Sequence, residues 1–133
     1  MEKEGRGRKK EKKHDLRERT KSFALRIIRL YGSLPKTTEA QILGKQVLRS
    51  GTSVGANYRE AYRARSKAEY ISIIGISLRE IEETSYWFEL LIESGIVSEG
   101  KLNDLQAECN ELTAIFVSSI KKAKSNSERG QSL

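Results

Sequence analysis

Proline, cysteine and histidine each occur once in the 133-residue chain, at Pro35, Cys109 and His14. Each scarcity excludes something. With one proline, long helices can run almost anywhere away from residue 35. With one cysteine, an internal disulfide is impossible, and a reducing cytoplasm is the expected setting. With one histidine, the inward-facing Glu-x-x-His pairs of a di-iron bundle are missing. No zinc spacing, Ser/His/Asp set or glycine-rich phosphate loop is present, so no metal, cofactor or catalytic residue is expected. Long apolar runs are also missing. Stretches such as Tyr86-Trp87-Phe88 fall far short of the ~20 residues that cross a bilayer. No charged-then-apolar leader opens the chain, which argues against secretion. Sustained alternation of apolar and polar residues is absent, so no strands are expected.

What is abundant is charge. Hydrophobic residues make up 37% and charged residues 32%, a mix that suits a soluble helical protein, and the net charge is +7. Residues 1–14 hold seven Lys/Arg, including Lys9, Lys10, Lys12 and Lys13, against three acids. Such a basic arm reads either as a nucleic-acid contact or as a solvated, disordered segment.

Helix signals then follow in order. Asp15-Leu16-Arg17-Glu18 has the form of a capping box, and Leu16, Thr20, Phe23, Ile27, Leu30 and Leu34 recur in threes and fours. A second seam runs Leu43, Val47, Ser50, Val54, Asn57 or Tyr58, and Ala61. Ser66-Lys67-Ala68-Glu69 is the clearest start signal, and Gly95 supplies a stop. A last seam runs Leu102, Leu105, Cys109, Leu112, Phe116, Ser119 and Ala123. These signals predict helices at about 15–31, 37–62, 66–94 and 98–124, with a loose tail at 125–133. The fold class is all-α: an antiparallel up-down four-helix bundle.

Within the second helix, Gly51-Thr52-Ser53-Val54-Gly55 repeats glycine at a spacing of four. No strand precedes it and no Lys follows the second glycine, so it is no phosphate loop. Arg49 and Arg59 exclude a bilayer position. Gly44, Gly51, Gly55 and Gly75 all fall inside predicted helices, each costing about 1 kcal/mol against alanine. Close packing must offset that, so the stretch reads as a thin section of helix where another backbone approaches. The third helix is apolar on two sides: Ile76, Trp87 and Leu90 lie well round from Ile74, Ile81 and Phe88. Self-association through Ile76, Trp87 and Leu90 is the expected remedy.

Arg59, Arg63, Arg65 and Lys67 gather where the second helix gives way to the third, a cluster suited to phosphates. Tyr58, Tyr62 and Tyr70 lie near enough to stack on unpaired bases, although Tyr58 and Tyr70 read better as core. A hairpin turning near residue 64 sets Asn57 opposite Tyr70 for a hydrogen bond and Arg49 opposite Glu80 for an ion pair. Cys109 reads as a small core residue. Glu80, Glu82 and Glu83 read as ion-pair partners rather than metal ligands. Arg8 and His14 match the Arg-x4–6-His spacing of four-helix ribonucleases, but lie ahead of the first predicted helix among lysines, and read as chance.

Leu34-Pro35-Lys36, then Ser53, Asn57 and Glu60, then Ser66 to Tyr70 and Leu78 to Thr84, together resemble the bacterial four-helix bundle proteins encoded in intervening sequences of 23S ribosomal RNA genes. The resemblance spans about residues 16–124. It implies a homopentamer, and kinship with the accessory proteins of diversity-generating retroelements, which bind nucleic acid and a reverse transcriptase. The expected function is therefore non-catalytic nucleic-acid binding by a homo-oligomer, with RNA or a ribonucleoprotein as target. The alternative is a scaffold for a protein partner such as a reverse transcriptase or a ribosomal component.

Overall fold

A computed structural model describes the backbone of residues 2–128 and the side chains of residues 16–126. Four helices follow one another: α1 (Glu2–Ser33), α2 (Thr38–Tyr62), α3 (Lys67–Glu93) and α4 (Glu99–Glu128). Among the described residues there is no strand. α1 begins upstream of the Asp15 boundary suggested by the capping pattern, and α4 runs past residue 124. The side chains of the basic arm, including Lys9, Lys10, Lys12, Lys13 and His14, lie outside the described residues, as do residues 129–133. No described helix is long and apolar enough to cross a membrane.

Local chemistry sets the helix ends. The Thr37 hydroxyl accepts from the Ala40 amide at 3.4 Å, and the Ser66 hydroxyl accepts from the Glu69 amide at 3.1 Å. Each satisfies a first-turn amide that has no partner within its helix. The Glu69 carboxylate reaches back one residue further than a standard capping box, accepting from the Arg65 amide at 3.0 Å. At the end of α3, Gly95 takes φ +80°, a region closed to most side chains. The Gly95 amide then donates to Ile92 and the Ile96 amide to Leu91, which closes the helix with a Schellman pair.

Each helix packs on the next, and α4 touches α1. The core of this four-helix bundle is built from the expected seams. Leu16, Thr20, Phe23, Ile27 and Leu30 of α1 and Leu34 just beyond it are all buried, as are Leu102, Leu105, Cys109, Leu112 and Phe116 of α4. On α2, Tyr58 rather than Asn57 turns inward, and Gly44 takes a buried place beside half-buried Leu43. Along the α2–α3 contact, Val54 meets Ser77, Ser50 meets Thr84, and Arg49 meets Glu80 and Glu83.

Three glycines of α2 mark where α1 comes closest. A Cβ on Gly44 would lie 2.6 Å from Leu34 Cδ1, one on Gly51 2.9 Å from Ile27 Cγ1, and one on Gly55 2.9 Å from Thr20 Oγ1. Gly75 differs: nothing lies within 4 Å of its missing Cβ, so the close packing expected there is absent within the chain.

Candidate nucleic-acid interface

The arginines divide by their surroundings. Some are neutralised by carboxylates of a neighbouring helix. Arg19 of α1 grips Glu108 of α4 at 2.6 Å and Glu111 at 3.1 Å. Arg49 of α2 reaches Glu80 at 3.3 Å and also Glu83 on α3. The Glu83 carboxyl is held below its ordinary range, mainly by the indole N–H of Trp87, which donates to it at 2.9 Å, and also by Arg49. These clasps fasten helices together and occupy two of the three clustered glutamates. Among the described residues, no group of three or more His, Cys, Asp or Glu side chains is placed to hold a metal ion.

A second set stands apart. Arg17, Arg59 and Arg63 have no carboxylate within ion-pair range among the described residues. With Glu60 and Tyr62 they line an open groove of about 260 Å³ at the C-terminal end of α2. Arg59 and Arg63 are one helical turn apart, so both point the same way. Arg59 also sits in the last turn of α2, where the exposed carbonyl ends favour a cation. The Arg17 guanidinium lies 5.0 Å from the centre of the Tyr62 ring, within cation–π range.

The groove rests on a ladder of aromatic rings rising from the core. Phe116 is fully buried, and its ring centre lies 6.2 Å from that of Tyr58. Tyr58 lies 6.5 Å from Tyr62, which is 48% exposed. Burial pushes the Tyr58 phenol up to about 12, assisted by Tyr70 and Tyr62 and opposed by Arg17. Tyr58 is therefore a floor, half-buried Tyr70 packs against the core, and Tyr62 is the ring that faces outward.

The expected site residues thus separate. Arg59 and Arg63 line the groove; Arg65 and Lys67 follow on the α2–α3 turn and the first turn of α3 and are not among its lining residues. Arg17 is the residue that sequence reasoning missed. Its place in a capping pattern concealed it, and only the packing of α1 on α2 brings it to Tyr62.

The polar seam is corrected in part. Asn57 does not bond to Tyr70: its amide donates to the Ser53 carbonyl, one turn back on its own helix, at 2.8 Å. The buried polar contacts between α2 and α3 are instead the Thr84 hydroxyl donating to Ser50 at 2.8 Å and the Ser77 hydroxyl donating to the Val54 carbonyl at 3.1 Å. Ile76, Trp87 and Leu90 are half-buried, with Trp87 packed against the core. Among the described residues, the large apolar side chains left exposed are Leu25, Ile28, Ile42, Tyr62 and Tyr86. Cys109 is buried, and burial followed by Glu108 pushes its thiol up to about 12, so it lacks the thiolate that a nucleophile needs.

A family model described as 23S rRNA-intervening sequence protein matches residues 5–118. A crystal structure described as a protein with unknown function from the S23 ribosomal protein family, from Bacteroides thetaiotaomicron VPI-5482, is 38% identical. It covers 80% of this chain and 98% of its own, with a TM-score of 0.75. No curated protein matches.

Proposed function

The chain belongs to the 23S rRNA-intervening sequence protein family, and on that premise we propose that it binds nucleic acid in the cytoplasm without catalysing a reaction. The observation that carries this reading is the meeting of Arg17, Arg59 and Arg63 beside an exposed tyrosine, with no carboxylate in ion-pair range among the described residues. Cations left unneutralised in one place attract phosphates and release the counterions around them. RNA is the target we favour; the family description gives the place of the genes, in intervening sequences of 23S rRNA, and names no ligand. Arg65 and Lys67 extend the charge along the turn, and the arm of Lys9, Lys10, Lys12 and Lys13 adds to it.

Filter binding at several salt concentrations tests this. Arg59→Ala with Arg63→Ala should weaken binding similarly for unrelated sequences, because phosphates carry no sequence information. The slope of log affinity against log salt should shrink by about 0.7–0.9 for every phosphate deprived of its arginine. Unchanged affinity and slope sink the assignment of these arginines. If removal of residues 1–14 alone abolishes binding, the arm is the site and the groove is a solvated face.

The same reading extends to assembly. The pairing of Ser50 with Thr84 and of Val54 with Ser77, rising along α2 while falling along α3, supports an antiparallel up-down bundle. Half-buried Ile76, Trp87 and Leu90 support a homo-oligomer, with five subunits favoured by the family resemblance. A ring would repeat the arginine cluster around its axis and multiply weak contacts into avidity. Sedimentation equilibrium should give a multiple of the 15.1 kDa chain mass; the monomer mass at micromolar concentration overturns the oligomer. The scaffold alternative draws on exposed Leu25, Ile28 and Ile42. It gains if a protein partner is captured while nucleic acid is ignored.

A further inference from the structure

Glu60 is out of place in a groove that serves phosphates alone. Its carboxylate lines the same surface as Arg17, Arg59 and Arg63, where it would repel a sugar–phosphate backbone. It forms no ion pair with those arginines. A carboxylate accepts hydrogen bonds only, so the ligand it suits carries N–H donors. Nucleobases do, on the edges that pair in a duplex.

The neighbouring groups fit a base as well. Tyr62 is half exposed, yet its ring is held from one side by Tyr58 and capped by the Arg17 guanidinium. Phenol ring and guanidinium are both planar surfaces on which bases stack. The groove, at about 260 Å³, lies below the size of sites that enclose whole drug-sized ligands and suits one planar group. Stacking needs a base turned out of its helix, and a base already paired offers neither its face nor its pairing edge.

We propose that this groove takes one unpaired nucleobase of a single strand, stacked on the outer face of the Arg17 guanidinium that the Tyr62 ring backs, with Glu60 accepting from its amino or imino N–H groups and Arg59 and Arg63 on the flanking phosphates. The proposal rests on the nucleic-acid reading above and adds what that reading lacks: a preference for single-stranded over duplex RNA. It also adds a preference among bases. Adenine, cytosine and guanine carry an exocyclic amino group, and guanine offers two adjacent donor nitrogens to one carboxylate. Uracil offers one imino N–H and no amino group.

Fluorescence anisotropy with short labelled RNAs tests it on the full chain: a mixed single strand, oligo-uridine, and a duplex of the same length. The mixed single strand should bind most tightly. Tyr62→Ala should weaken it roughly 5- to 150-fold, the range for removal of one stacked base, and leave the duplex unchanged. Tyr62→Phe should keep the affinity, because the ring backs the guanidinium and the hydroxyl does not. Glu60→Gln should narrow the gap between the mixed strand and oligo-uridine, since an amide offers one acceptor oxygen in place of two. Both side chains are exposed, and circular dichroism confirms that each variant is folded. Equal weakening of single strand and duplex in Tyr62→Ala, or no change in either, overturns the stacked base while leaving phosphate binding intact. Failure of the unsubstituted protein to bind any of the three RNAs overturns both readings.

Discussion

Gly55→Ala should destabilise the protein by about 1–3 kcal/mol, although alanine is the better helix former by about 1 kcal/mol. The added methyl would sit 2.9 Å from Thr20 Oγ1 and 3.1 Å from Thr20 Cβ, with the Thr20 backbone at 3.4 Å behind them. Thr20 cannot swing aside cheaply. It is fully buried, and its hydroxyl donates to the Leu16 carbonyl at 2.7 Å. Gly51→Ala meets a similar obstacle, since the first atoms in its way are the branch carbons of buried Ile27. Gly44→Ala should destabilise as well: Leu34 Cδ1 is the free end of a longer side chain, but the Tyr31 ring lies 2.8 Å away and its hydroxyl is tied to Gln41. The internal control is Gly75→Ala, where open space lets propensity win and stability should rise by about 0.5–1 kcal/mol. Urea denaturation of the four variants reads the signs directly. If Gly55→Ala and Gly75→Ala both stabilise, the α1–α2 approach is looser than described.

Phe116→Ala should cost more, about 3–5 kcal/mol, because it empties a fully enclosed site. Against a typical total of about 5–15 kcal/mol, that is a large shift in the denaturation midpoint. A drop below about 1 kcal/mol is incompatible with the packing described. The consequence should also travel outward along the rings. Without Phe116, water reaches Tyr58, and the phenol should ionise nearer its ordinary value instead of at about 12. Ultraviolet titration of the tyrosines follows that change. The sign for the unsubstituted protein follows from the same burial. Tyr58 and Cys109 both keep their protons to about 12 when folded, against ordinary values of 10.0 and 9.0. The unfolded chain therefore loses protons first, and stability falls as pH rises from about 9 upward.

Why some features could be read from residues alone, and others not, comes down to range. Helix seams are local, so spacing exposed them: every apolar position chosen for α1 is buried. Caps at Ser66 and Gly95 are local too. The close approach at Gly51 and Gly55 was legible because the penalty for glycine in a helix demands a compensation. Gly75 shows the limit of that reasoning, since a penalty does not reveal where its compensation lies. Arg17 and Tyr62 are far apart along the chain, and no pattern in either helix points to the other. Asn57 shows a different limit. Hairpin geometry set it near α3, but a carbonyl one turn away on its own helix was the nearer acceptor. The Thr84–Ser50 contact was missed for a related reason: short hydroxyl residues inside a helix announce neither burial nor partner.

Trp87 is the only tryptophan in the chain. It stands half-buried on α3, against Tyr86 at 5.1 Å between ring centres, with its N–H on Glu83. Intrinsic emission excited at the indole band therefore arises from a single place on the molecule, the flank of α3 that Ile76 and Leu90 share. The protein carries a built-in optical reporter on the face proposed for self-association, while the aromatic residue lining the groove at the end of α2, among the described residues, is a tyrosine.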